Sequence, residues 1–410
     1  MQFKQTELSN GLTILGEASP AAASMAVGFF ARTGSRDETA SIAGVSHFLE
    51  HMMFKGTKRR SPFDINREFD EMGATYNAFT SEENTVYFAA VLPEFQTRAL
   101  DLLGDMLRPA LRADDFETEK KVILEEIALY QDRPLYRLYE RLMADHFGEH
   151  PLSNSVLGTA ESIQALARED MLAYFDRRYS PSNVTLIGVG KLDWEAFVTK
   201  AEEMCGKWVR HDVQRDTADT AGTHQARTIA DEKLLRQHIG MMSRAPSAQD
   251  DLRYAASLLA TILGDSTGSR LFYALVEPAI ADEATYHYDE MDGAGAFLTF
   301  ISADPERAGD ALRIARDELA RFVEDGPAEA EVVAAKNKTA CAATLRGELP
   351  MGRLTAVGFD WVYRHSYVPL EDHVERILAV SRDEIHDLAR ECSLLATTTL
   401  GLGPVEALTD

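Results

Sequence analysis

The chain has 410 residues, 45% of them hydrophobic, and a formal net charge of -24. That length supports two to three domains with ample core, and that charge argues against nucleic acid and anionic membrane surfaces as partners. Three widely spaced cysteines, Cys205, Cys341 and Cys392, signal neither a disulfide framework nor a cysteine metal site.

Residues 3–8 and 12–17 read as two strands of a hairpin turned at Asn10-Gly11, because Asn-Gly accepts positive φ. Residues 25–33 form an apolar strand. Then comes His47-Phe48-Leu49-Glu50-His51, within Gly44 to Thr57. On a helix, positions 47, 50 and 51 share one face, which brings two imidazoles and a carboxylate together. Two neutral imidazoles and a more distant carboxylate leave a fourth zinc position for water, the open coordination of a catalytic site, with Glu50 as the base beside it. The order His-x-x-Glu-His inverts the commoner His-Glu-x-x-His peptidase motif.

A helix over 61–73 enters through Ser61-Pro62 and stops at Gly73. Strands follow at 74–80 and 84–92. From Pro93, Phe95, Ala99, Leu102, Leu103 and Met106 recur at helical spacing and mark a buried face. A further helix opens near Asp114 or Asp115 and carries Glu119 and Glu126, seven apart and so on one face. Helices are expected over 136–147, 162–179 and 194–208, with a strand at 183–190. Residues 210–226 turn polar and acidic and read as an interdomain linker.

The second half repeats the first. Pro93-Glu94 and Asp304-Pro305-Glu306 each lead an amphipathic helix, and 395–403 is a closing strand like 183–190. A period of roughly 200 residues means two domains of one architecture, here 1–209 and 227–410. The second copy has no His-x-x-Glu-His; Gly264-Asp265-Ser266-Thr267-Gly268-Ser269-Arg270-Leu271-Phe272 stands in its place. Residues 1–8 carry no charged and apolar signal region, and no run of about 18 apolar residues exists, so a cytoplasmic setting is expected.

The segments Arg32 to Glu38, Gly44 to Thr57, Asn77 to Glu82 and Glu119 to Glu126 occur in the order found in a known family. The sequence resembles the pitrilysin and mitochondrial-processing-peptidase family of zinc metallopeptidases, and in particular its short bacterial members. The resemblance covers essentially the whole chain. It implies an α+β fold of two similar domains, each a mixed sheet with helices on one face, forming a clamshell cavity. It implies one zinc per chain on His47, His51 and Glu126, with Glu50 as base and Glu119 orienting the site. It also implies an extended peptide substrate held on the edge strand Asn77-Ala78-Phe79. From the second half, the family's substrate-binding arginine falls on Arg270. Its tyrosine is replaced by Asp282 or Glu283, for which Tyr286 and Tyr288 are the candidate substitutes. A homodimer or a heterodimer with a related subunit is expected, and a non-catalytic scaffold of the same fold is the rival reading.

Overall fold

The structure, a computed structural model, describes residues 1–408. Its backbone divides into two compact units. The first comprises Met1–Ala128, Asn154–Asp216 and Leu345–Pro369; the second comprises Leu129–Ser153, Thr217–Thr344 and the chain from Leu370 onward.

The first unit is built on a six-stranded sheet: β1 (Gln2–Glu7), β2 (Thr13–Ala18), β3 (Met25–Ala31), β4 (Thr75–Thr80), β5 (Thr85–Val91) and β6 (Val184–Gly190). Their spatial order is β1-β2-β6-β3-β5-β4, with β2–β6 parallel and the other pairs antiparallel. The expected hairpin turns at Gly11, whose φ of +91° the Asn-Gly pair accommodates. The central strands β3 and β6 are buried at every residue. Their unbroken apolar runs follow from helices covering both faces of the sheet. One face carries α1 (Val45–Met53), α2 (Pro62–Glu71), α3 (Gln96–Met106) and α4 (Ala113–Gln131) in and around it. As expected, Ser61 caps α2, its side chain accepting from the Asp64 amide.

The opposite face is covered by a single helix, Pro350–Arg364, which packs Leu354 and Val357 on Ala26, Phe30 and Ile187. Its Arg353 pairs with Glu17 of β2, both buried, with Nε to Oε1 at 2.9 Å. This helix comes from the far half of the sequence.

The second unit holds five strands: β7 (Ala226–Ala230), β8 (Gln237–Arg244), β9 (Glu283–Glu290), β10 (Gly295–Ala303) and β11 (Thr398–Gly403). Their order β7-β11-β8-β10-β9 reproduces β2-β6-β3-β5-β4 strand for strand, including the parallel first pair. Its main core gathers helix Arg253–Gly264 and helix Ala308–Asp325 on one face. On the other face lies α5 (Pro134–Phe147), whose Leu138 and Leu142 meet Met242, Leu298 and Leu400.

The repeat is therefore present, but the units do not follow a division into 1–209 and 227–410. Each half of the sequence contributes one helix to the other half's unit: α5 in one direction, Pro350–Arg364 in the other. The stretch read as a linker is also fastened at its start. Arg215 is bound to Asp37, Nη2 to Oδ2 at 2.6 Å, and Arg36 donates to the Asp216 carbonyl at 2.7 Å. The helix expected over 162–179 is interrupted at Leu166, which leaves the helical region at ψ 124°. The freed carbonyls of Gln164 and Leu166 both accept from Lys120 Nζ.

Candidate metal centre

α1 starts at a position only glycine tolerates. Gly44 adopts φ +89°, and a Cβ there would lie 2.5 Å from the Leu157 carbonyl oxygen. The first free amides of α1 are met by Glu38, which accepts from Gly44 N at 2.6 Å and Ser46 N at 2.7 Å, a remote equivalent of an N-cap. Burial pushes the Glu38 carboxyl up to about 8 against these hydrogen bonds. On the opposite side Phe48 stacks on Phe116 of α4, centroids 4.8 Å apart. That contact sets α1 and α4 side by side.

Along α4 the buried residues are Phe116, Glu119, Ile123 and Ile127, one stripe at helical spacing with a carboxylate inside it. Glu126 borders the stripe, whereas its neighbour Glu125 is exposed. The consequence is a convergence of three donors. Glu126 Oε2 lies 3.7 Å from His47 Nε2 and 3.5 Å from His51 Nε2. His47, His51 and Glu126 are the metal-competent group among the described residues, all three donor atoms lying within 4.8 Å of one another.

Those separations fit zinc. Ligand bonds of about 2.0–2.2 Å in a tetrahedral site put donor atoms roughly 3.3–3.6 Å apart. The protonation chemistry fits as well. Burial, with the neighbouring His51 charge adding to it, pushes the His47 imidazole down to about 3, so it is a neutral donor at neutral pH. Its Nδ1 is buried and unpartnered among the described residues.

His51 Nδ1 sits 2.9 Å from Glu119 Oε1, which fixes the tautomer and leaves Nε2 toward Glu126. Burial disfavours the charged His51, but the Glu119 bond and the charges of Glu126 and Glu50 outweigh it and raise its pKa. Glu119 itself is resisted by burial and held low by His51 and by Lys55, whose Nζ is 2.5 Å from Oε2. Glu119→Gln is expected to weaken zinc binding by about 10–100-fold, the usual effect of losing such a second partner. A competition titration with a chromogenic chelator reads this directly, and an unchanged affinity would remove Glu119 from the site.

Glu50 shares the α1 face with both histidines and accepts from Thr80 Oγ1 at 2.6 Å. Burial pushes its carboxyl above the usual range; the Thr80 bond and His51 pull it back, and Glu126 adds to the rise. Thr80 ends β4, the terminal strand of the sheet, so among the described residues one edge of β4 has no strand partner. On that strand Asn77 is exposed, Ala78 buried and Phe79 36% exposed, its ring near Phe88 and Phe359.

The second-unit candidates stand differently. Arg270 is committed within its own unit, to Glu331 at 2.8 Å through Nε, to the Gly326 carbonyl and to the face of Phe322. Tyr288 donates to the Pro246 carbonyl. Tyr286 is only 3% exposed and packs its ring on Phe297, so the expectation that it meets substrate is corrected: it is a core residue.

Three residues that matter to the site carried no role in the sequence reading: Glu38, Lys55 and Thr80. All lie inside the recognised segments, but only the folded chain shows what they touch.

Comparison with known proteins gives the family. The profile described as Insulinase (Peptidase family M16) matches residues 13–160, and that described as Peptidase M16 inactive domain matches 165–339. The chain belongs to peptidase family M16. An M16 chain of this length has a similar relative in Mycobacterium tuberculosis, called an uncharacterized zinc protease. It is 33% identical over 98% of this chain and 93% of that protein. Among solved structures, a protease from Helicobacter pylori superposes with a TM-score of 0.91 at 21% identity, covering 98% of this chain and 99% of that one. A chain of complex III2 from Candida albicans superposes with a TM-score of 0.85 at 19% identity, covering 99% and 97%. These likenesses show the two-domain M16 fold. The inactive-domain profile falls on the half that lacks the histidine motif. No helix among the described residues is long and apolar enough to cross a membrane.

Proposed function

We propose that this M16 protein is a zinc-dependent endopeptidase acting on unfolded or extended peptides, with one zinc per chain. The observation that carries the reading is that Glu50 shares the helix of His47 and His51, whose donors converge with Glu126, and accepts from Thr80 at the end of the edge strand β4. Zinc held there supplies a Lewis acid that makes a bound water acidic near neutral pH. The remaining work belongs to the chain. A peptide adding to β4 as an antiparallel strand is held by main-chain hydrogen bonds, which present an amide without demanding a particular side chain. Glu50 accepts the proton of the attacking water and returns it to the leaving amine. Thr80 holds Glu50 Oε2, so the carboxylate is oriented before substrate arrives.

The family's substrate arginine is carried onto Arg270, and Tyr288 is the remaining tyrosine candidate; both belong to the proposal, as do the cytoplasmic setting and a homodimer or related-subunit heterodimer. A scaffold role has one observation in its favour, the complex III2 likeness. The intact donor set speaks against it.

The test is cleavage of an unfolded protein such as reduced casein. Activity should vanish on dialysis against a chelator and return on adding one equivalent of zinc. Purified protein that takes up no zinc, or that cuts equally well once stripped of it, would end this reading.

A further inference from the structure

The near-exact repeat of the two sheets exposes one place where they differ. In the first sheet, β1 lies outside β2 and pairs with it antiparallel, Phe3 opposite Glu17 and Gln5 opposite Leu15. Phe3 stacks on Tyr367 at 4.0 Å and 10°. The Tyr367 hydroxyl donates to Glu17 Oε2 at 2.8 Å, and Arg353 donates to the same carboxylate. Strand, aromatic pair and ion pair together close the margin of that sheet.

The second sheet has the same helix in the same place. Pro134-Leu135-Tyr136-Arg137-Leu138 begins α5 as Pro350-Met351-Gly352-Arg353-Leu354 begins its counterpart. The parallel register aligns Arg227 with Leu15 and Ile229 with Glu17, because Leu400-Gly401-Leu402-Gly403 matches Ile187-Gly188-Val189-Gly190. Yet β7 is the terminal strand, with Ala226, Arg227 and Ala230 exposed. Where the first sheet has Phe3 and Tyr367, there is a cavity of about 320 Å³ lined by Arg137, Leu138, Arg141, Arg227, Ile229 and Leu402, among others.

The charges at this cavity are partly spoken for. Arg137 pairs with Asp231 at 2.8 Å, and Arg227 with Asp145 at 2.6 Å. Glu140, also in the lining, takes the Tyr136 hydroxyl at 3.0 Å. Arg141 is exposed and has no carboxylate partner among the described residues. The apolar side chains of Leu138, Ile229, Leu400 and Leu402, a strand edge with no partner among the described residues, and the Arg141 guanidinium therefore coincide.

We propose that the β7 edge and its cavity dock an extended acidic segment of a partner protein, which adds as the missing sixth strand antiparallel to β7. The register of β1 specifies its pattern. A large apolar side chain opposite Ile229 fills the cavity, and two residues later, on the same face, a carboxylate opposite Arg227 meets Arg141. The recognised pattern is thus aromatic-x-acidic. This proposal stands apart from the peptidase reading, since β7 and the metal donors are on different units.

The experiment uses the full zinc-loaded chain and a fluorescein-labelled peptide of about ten residues with Phe-Thr-Asp at its centre. Anisotropy should show saturable binding that weakens about tenfold or more with Arg141→Glu, and weakens with added salt. Exchanging Asp for Lys in the peptide should abolish binding to the parent protein and restore it to the Arg141→Glu variant. Casein hydrolysis by that variant should be unchanged, which separates failure here from failure of the proposed activity. No saturation up to about 1 mM, equal binding by both proteins, or a protein dimer that Arg141→Glu dissociates would each overturn the proposal, the last by assigning the edge to a second copy.

Discussion

Glu50→Gln is expected to keep its zinc and lose its peptidase activity, by a factor on the order of 10²–10⁴ for removal of a general base. The substitution is nearly isosteric, and a glutamine oxygen can still accept from Thr80 Oγ1, now at 2.6 Å from Glu50 Oε2. The arrangement of α1 against β4 should therefore survive. What disappears is the capacity to take a proton. Glu50 is not among the three donors that converge, so metal content should stay at one equivalent by atomic absorption. Turnover of a fluorogenic peptide at the wild-type rate would show that the proton is taken elsewhere.

His51→Ala and Glu126→Ala are expected to lose zinc and activity together. Loss of an orienting partner costs about 10–100-fold in metal affinity, and loss of a ligand should cost more than about a hundredfold. His51→Ala carries a second effect. Glu119, only 3% exposed, would keep Lys55 but lose the imidazole that helps hold it ionised, so the variant should also melt earlier than Glu126→Ala. Glu126 is partly exposed and its removal strands no buried charge. The paired readout is metal content and melting temperature. A His51→Ala protein that retained a full equivalent of zinc would disprove the assigned donor set.

How much of this was legible depends on sequence distance. His47, Glu50 and His51 are separated by three and four residues, and helical geometry alone puts them on one face. Glu119 and Glu126 lie two turns apart for the same reason, and the exposure of Glu125 follows from helical phase. Central strands β3 and β6 announced themselves as apolar runs. Thr80 was invisible because nothing local ties it to Glu50, thirty residues earlier. Glu38 closes a segment that carries the family resemblance, but its caps on Gly44 and Ser46 exist only once the chain has closed on itself. Tyr286 came in as a substitute for the tyrosine replaced at Asp282 or Glu283, and nearness in sequence does not say which face of a strand is covered; helix Arg253–Gly264 packs against β9 and covers this one. The trade of helices between the halves left no local mark at all, since each helix has an ordinary amphipathic pattern that does not name the sheet it will meet.

That trade has a consequence for recombination. A crossover in the polar stretch near residue 216, the obvious seam between two repeats, would join α5 from one parent to the β8 and β11 it must pack against from another. It would likewise set a foreign Leu354 and Arg353 on the native Phe30 and Glu17. Each half therefore inherits a packing obligation to its sibling. Functional chimeras between M16 relatives should need paired junctions, so that residues 129–153 travel with the second sheet and 345–369 with the first.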